Sequence, residues 1–195
     1  MKILLYDWSK FSTYINNWDI KQTFRALNID YNTFMFDFNE QDEDELLSYF
    51  SELDISQYDF CFSINYFPGI STVCMKYNMK YISGGYDCPF NIENIEETLG
   101  NPCNYVFCFD RVQAQGYINQ GFETVYHLPL GVNVDLYKKL NKHSEYMQKY
   151  QGDISCIGSL YEGQYSSIAE ICDEYHRGYM EAIINSQQQI YGGYS

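Results

Sequence analysis

Basic residues are scarce in this chain of 195 residues. There are 12 Lys and Arg against 26 Asp and Glu, a formal net charge of −14. Such a surface repels phosphate backbones and anionic lipid, which argues against nucleic-acid binding and against a membrane-surface role. Long apolar runs are missing too. No stretch is long enough to span a bilayer, so membrane insertion is not expected. At the N-terminus only Ile3-Leu4-Leu5-Tyr6 precede the first acidic residue, Asp7, too few for a signal-peptide core. The chain therefore reads as cytoplasmic. Cysteines number seven, an odd count with no Cys-x-x-Cys pair, which argues against a disulfide framework and a zinc ribbon. Cys61, Cys103, Cys108 and Cys156 stand in or beside apolar runs, where a free thiol packs as a small hydrophobe.

Several catalytic signatures are absent as well. Asp7-Trp8-Ser9-Lys10 comes after the first apolar run where a dinucleotide-binding Gly-x-Gly-x-x-Gly would stand, and neither a P-loop nor a Gly-x-Ser-x-Gly elbow occurs. Asp42-Glu43-Asp44 has the look of a metal-binding Asp-x-Asp. It lies in a stretch from Asp37 to Asp54 with eight carboxylates and no Lys or Arg, and reads better as a solvated helix start that complements the helix dipole. None of the three histidines, His127, His143 and His176, has a second His, Cys or carboxylate at ligand spacing, so no metal site is expected.

Hydrophobic residues make up 46% of the chain, enough for a core and incompatible with intrinsic disorder. Tyr is the distinctive residue, at 21 positions, and most of these are read as ordinary half-buried sites. Short apolar runs recur at Ile3–Tyr6, Tyr31–Phe36, Phe60–Ile64, Tyr81–Ser83, Tyr105–Phe109, Val125–Leu130 and Ile154–Ile157, their starts 20 to 29 residues apart, the length of a βα unit. Helical spacing fills the gaps. Ile20, Phe24 and Leu27 share one face, with Asn28 as a stop. Leu46, Leu47, Phe50 and Leu53 share another, and a third runs from Pro68 through Ile70, Val73, Cys74 and Tyr77. A further helix is predicted between Asp110 and Gly121. Alternating β and α elements with near-continuous apolar strands predict an α/β fold, a doubly wound parallel sheet covered on both faces.

Residues 131–152 differ, holding four of the basic residues and few large aliphatics, and read as a solvated connection. Beyond it one strand (153–158) precedes a long helical pattern carried by Ile168, Ile171, Cys172, Tyr175, Tyr179 and Ile183. The expected division is a Rossmann-like domain over 1–137, a linker over 138–152, and the first strand and helix of an incomplete second domain over 153–195. A stripe of that length on the helix 167–190 has to be buried, which makes self-association through it a further expectation.

In a parallel sheet ligands bind beyond the carboxyl ends of the strands. The residues just past the predicted strands are Asp7-Trp8, Asn65-Tyr66, Gly84-Gly85-Tyr86-Asp87 and Asp110-Arg111, so polar and aromatic groups gather on one rim. For Asp7 and Asp110 a helix-capping role stands beside ligand contact. His127, inside the last apolar strand of the first domain, is either a hydrogen-bonded core imidazole or a group facing a cleft.

At Leu128-Pro129-Leu130-Gly131-Val132-Asn133-Val134-Asp135-Leu136-Tyr137 the chain resembles GT-B glycosyltransferases, which often leave their first domain through Pro-x-Gly-Val-Asp-x-x-x-Phe. Here Asn133 stands for the Asp and Tyr137 for the Phe, while Ile157-Gly158-Ser159-Leu160 stands for the Val-Gly-Arg-Leu that opens the second domain. Leu4-Leu5-Tyr6-Asp7-Trp8, Phe62-Ser63-Ile64-Asn65-Tyr66-Phe67-Pro68, Tyr86-Asp87-Cys88-Pro89, Phe109-Asp110-Arg111 and Ile157–Tyr161 are similar to a bacterial group. In it, a domain of unknown function precedes a glycosyltransferase domain, as in the spore-maturation CgeB-like proteins.

The resemblance implies transfer of a sugar from a nucleotide-sugar to a hydroxyl acceptor, without a metal and without any further cofactor. Asp7, Trp8, Asn65, Asp87, Asp110 and Arg111 would line the acceptor side, and Gly158 and Ser159 would face the donor's diphosphate. This stretch alone would be inactive. The competing expectations are a non-catalytic carbohydrate- or nucleotide-binding module, and a scaffold that docks partners on the stripe from Ile168 to Ile183.

Overall fold

The structure is a computed structural model that describes residues 1–7, 14–35, 43–139, 145–150, 152–154 and 164–189. By contacts the chain divides into two compact units, Met1–Lys139 and Leu140–Ser195.

The first unit is built on six parallel strands: β1 (Lys2–Tyr6), β2 (Asp30–Phe34), β3 (Phe60–Ile64), β4 (Tyr81–Gly85), β5 (Asn104–Cys108) and β6 (Val125–His127). Their order is β2-β1-β3-β4-β5-β6. The chain steps from β1 outward to β2, then returns to the other side of β1 to lay down β3. The direction of winding therefore reverses between β1 and β3, and the carboxyl ends of those two strands flank the crevice where open α/β sheets hold ligands. The doubly wound parallel sheet expected from the sequence is thus present.

The helices of this unit are α1 (Tyr14–Ala26), α2 (Glu43–Glu52), α3 (Pro68–Lys76), α4 (Glu96–Leu99), α5 (Arg111–Asn119) and α6 (Val134–Lys139), with a 3-10 turn at Ile55–Gln57. Their ends obey local chemistry. Asn28, in the left-handed region at φ +53°, closes α1, and Gly121 at φ +97° comes just after α5. Pro68 opens α3, where a missing N–H costs nothing.

Strand register assigns the two faces. Leu4 pairs with Cys61, Cys61 with Tyr81 and Tyr81 with Asn104, so these side chains share a face. The core cluster on that face joins Leu46 and Phe50 of α2, Ile70, Val73 and Cys74 of α3, Leu99 of α4 and Ala114 of α5 to Leu4, Tyr6, Cys61, Tyr81, Val106 and Cys108. Burial of a Leu or Phe such as Leu46 or Phe50 contributes about 1.5–3 kcal/mol each. The opposite face carries Ile3 and Leu5, both buried, and α1 packs there through Phe24, whose ring lies 5.6 Å from Tyr31 and 6.2 Å from Phe62.

The second unit contains α7 (Glu145–Lys149), α8 (Gln164–Ile171) and α9 (Glu174–Gln189). The single long stripe expected after residue 167 is two helices. Asp173 interrupts it by accepting the backbone N–H of His176 at 2.8 Å and its ring Nδ1 at 2.7 Å, which makes it the start signal of α9. Those bonds hold the Asp173 carboxyl below its ordinary range. The connection at 131–152 also contains short helical turns, α6 and α7, that hydropathy did not reveal. Of the strand expected at 153–158, residues 155–158 lie outside the described residues, as do Trp8, Gly158 and Ser159.

Candidate functional site

The carboxyl rim of the sheet is assembled from the loop residues just past each strand. After β1, the Asp7 backbone N–H donates to Phe34 O at 2.8 Å. Its carboxylate accepts Asn17 Nδ2 at 2.7 Å and pairs with Lys21 Nζ. Both partners come from α1, so Asp7 ties that helix to the sheet. The pair is largely shielded, with 16% of the Asp7 side chain and 25% of the Lys21 side chain exposed, so its carboxylate is already engaged rather than open to a ligand.

After β3, Asn65 takes a left-handed backbone at φ +61°, a conformation that Asn tolerates better than most residues. Its backbone N–H donates to Gly84 O at 2.8 Å. Its side chain turns across to the loop after β4: Oδ1 accepts the Tyr86 N–H at 2.7 Å, and Nδ2 donates to Asp87 Oδ2 at 2.7 Å. Ser63 Oγ fixes this turn from below. It reaches Asn65 O at 2.6 Å and Tyr81 OH at 2.6 Å, and Tyr81 OH also accepts the Phe67 N–H at 3.1 Å. Asn65 and Asp87, both expected at the site, are thus brought together.

Tyr66 is not on the rim, contrary to the sequence expectation. It is 2% exposed, and its OH donates to Thr98 Oγ1 at 2.9 Å and accepts Asn104 Nδ2 at 3.2 Å. Burial pushes its phenol above the ordinary value. Tyr66 follows the left-handed residue Asn65 and packs in the core, its ring 5.8 Å from that of Tyr81. Asp110 serves as the N-cap of α5, accepting the Gln113 N–H at 2.7 Å. Arg111 is exposed on the first turn of that helix, and His127 is exposed at the end of β6.

A cleft of about 770 Å³ lies beside this rim. One wall is α1, through Trp18, Asp19, Gln22 and Thr23. The other is the segment Gly131–Asp135 beyond β6, and Tyr86 of the loop after β4 stands at its edge. Neither Arg111 nor His127 lines it. The two walls are fastened by Asn133 Nδ2, which donates to Asp19 Oδ1 at 2.8 Å. Trp18 keeps 41% of its surface exposed. The Tyr86 phenol is raised from its ordinary value by burial and by the nearby Asp19 carboxylate, so it holds its proton at neutral pH and can donate.

Trp18, Asp19 and Tyr86 were not singled out as site residues by sequence reasoning. Tyr86 sat inside the strand-end motif beside Asp87, and Asn133 marked the departure from the Pro-x-Gly-Val-Asp pattern. Trp18 and Asp19 gave no such signal, because their side chains reach the cleft from a helix that otherwise reads as ordinary.

The chemistry of this site is polar recognition with one aromatic face. At the rim α5 is a poor anion site, because its N-terminus is capped by the Asp110 carboxylate. Among the described residues no group of three or more His, Cys, Asp or Glu could hold a metal ion. Among the described helices none is long and apolar enough to cross a membrane. The chain matches no family model, and it matches no curated protein and no solved structure at a significant level.

Proposed function

We propose that the first unit is the acceptor-side domain of a GT-B-like glycosyltransferase, which holds a hydroxyl-bearing acceptor for transfer of a sugar from a nucleotide-sugar. The observation that carries this reading is the cleft between α1 and Gly131–Asp135. It combines an exposed Trp with a carboxylate, amides and a protonated phenol, the set that recognises hydroxyl groups on a ring with an apolar face. Its second wall is the segment that resembles the exit from the first domain of GT-B enzymes.

Departure of the donor's diphosphate requires positive charge or free helix-terminal N–H groups. The Asp110 cap withholds such groups at α5, which fits a domain that serves the acceptor and leaves the donor to other residues, Gly158 and Ser159 among the candidates. Asn65 and Asp87 form a rim pair next to Tyr86 that suits orientation of an acceptor hydroxyl.

The test is titration of the chain with hexoses and with nucleotide-sugars, read by calorimetry. Saturable binding of a hexose that Trp18→Ala abolishes supports the reading. Tight nucleotide-sugar binding with no hexose binding overturns it. The same cleft suits a non-catalytic carbohydrate-binding module, favoured by the exposed face of Trp18. Sugar transfer by the native gene product separates the two.

A further inference from the structure

We propose that this cleft takes a neutral or amine-bearing sugar ring stacked on Trp18, and turns away sugars that carry a phosphate or a carboxylate. The inference rests on the acceptor-side reading above and narrows its substrate class.

Three features of the cleft point to it. First, the polar group nearest its waist is an acceptor. Asp19 Oδ1 is held by Asn133 Nδ2 at 2.8 Å, and Oδ2 makes no hydrogen bond among the described residues. A carboxylate has only lone pairs to offer, so its partner has to bring a proton: a hydroxyl or an ammonium satisfies it, and a phosphate or carboxylate at neutral pH does not. Second, among the described residues the charged ones of the lining are Asp19 and Asp135 against Lys139. Lys138 sits 3.7 Å from Asp135 and faces solvent, with 73% of its side chain exposed. An anion would therefore meet a carboxylate fixed in place by Asn133, with its compensating cations on exposed side chains that water screens. Third, the ring of Trp18 supplies an uncharged surface. The C–H groups on one face of a pyranose can lie on it while its hydroxyls reach Asp19, Tyr86 and Gln22. Beyond the cleft, the net charge of −14 disfavours anions in the long-range field of the chain as a whole.

The experiment uses the 195-residue chain and a panel of probes: glucose, glucosamine, N-acetylglucosamine, glucose 6-phosphate and glucuronate, each titrated by calorimetry at neutral pH. At least one of the first three is expected to bind saturably. Glucose 6-phosphate and glucuronate are expected to bind at least tenfold more weakly than glucose. Trp18→Ala is expected to weaken the best binder at least tenfold with an unchanged far-ultraviolet dichroism spectrum. Asp19→Asn keeps a polar side chain beside Asn133 while removing the charge, and should narrow the gap between glucose and glucuronate. Anionic sugars that bind as tightly as their neutral counterparts overturn the selectivity and leave the acceptor reading standing. A folded chain that binds none of the panel overturns both.

Discussion

Replacing Asn104 with alanine should cost the first unit about 3–4 kcal/mol of stability, the sum of the contacts its side chain makes at roughly 1 kcal/mol net each. Asn104 is 2% exposed at the start of β5 and anchors three elements at once. Its Oδ1 accepts Ser71 Oγ of α3 at 2.8 Å. Its Nδ2 donates to Thr98 O at 2.8 Å, Leu99 O at 3.1 Å and Tyr66 OH at 3.2 Å. The full penalty of stranding buried groups does not apply, because most partners keep a second bond. Leu99 O still accepts Thr124 Oγ1 at 2.6 Å, Ser71 Oγ still accepts Asn101 Nδ2 at 3.0 Å, and Tyr66 OH still donates to Thr98 Oγ1. Urea unfolding monitored by far-ultraviolet dichroism measures the change as a lower midpoint at constant slope. Ser71→Ala, alone and combined with Asn104→Ala, closes a double-mutant cycle with an expected coupling of about 1 kcal/mol. A loss below about 1 kcal/mol for Asn104→Ala, or strict additivity in the cycle, would refute the network as an energetic unit.

Gly85→Ala should destabilise by about 1–3 kcal/mol, since the new Cβ would meet Phe90 Cε1 at 2.7 Å and Phe107 O at 3.1 Å. Thermal melts of Gly85→Ala with and without Phe90→Leu check it, and a Tm equal to that of the parent contradicts the close packing of β4. Asn65→Ala should be less stable than Asn65→Gly by about 1 kcal/mol, because both lose the bonds to Tyr86 and Asp87 but only alanine is strained at φ +61°. Equal urea midpoints would remove the argument from the left-handed turn. Stability should also fall in alkali. Burial raises the Tyr81 and Tyr66 phenols and the Cys61 thiol, and pushes Cys103 up to about 11. The folded chain thus keeps protons that the unfolded chain releases from about pH 9 upward. The contribution of these groups is complete below about pH 9 and is lost as pH climbs toward and past about 11. A urea midpoint that is flat from about pH 8 to about pH 11 contradicts this.

The fold was legible because its signals are local and repetitive. Phe60–Ile64 and Pro68–Tyr77 carry their periods in the residues themselves, and the alternation of such units dictates a parallel sheet. The apolar run read as Tyr31–Phe36 does not register where pairing with β1 ends, at Tyr6 and Phe34, and Phe36 itself lies outside the described residues. The long C-terminal stripe misleads for a related reason. Ile168 through Ile183 keep a helical period across Cys172-Asp173, and only the short side chain of Asp173, folding back on the His176 N–H, breaks it. The site was legible in part. Asn65 and Asp87 come from strand ends, which sequence locates, and their hydrogen bond places them together. The cleft wall of Trp18 and Asp19 was not legible, because it forms only when residues 131–135, distant in the chain, close on α1. Tyr66 was misplaced because a position just past a strand end does not say whether the side chain turns to the rim or into the core, where Tyr66 lies.

The hydrogen bond that closes residues 131–135 on α1 can be tested at Asn133. Asn133 lies 2.8 Å from a carboxylate, Asp19 Oδ1, and donates to it. An aspartate at 133 would set two carboxylates at that distance, and one of the pair would have to take up a proton or move away. Asn133→Asp should therefore cost about 1–2 kcal/mol at neutral pH, part from the lost charge-assisted bond and part from repulsion weakened by partial exposure. The shared site raises one carboxyl pKa in the folded state, so the penalty should be absent well below about pH 4 and should grow as pH rises through that raised value. Combining Asn133→Asp with Asp19→Asn restores one amide facing one carboxylate, and should return the urea midpoint to that of the parent. If the single variant unfolds with the parent at neutral pH, or the exchange fails to rescue it, Asp19 is not what fixes the amide at 133. If the rescue holds, the two positions act as one unit.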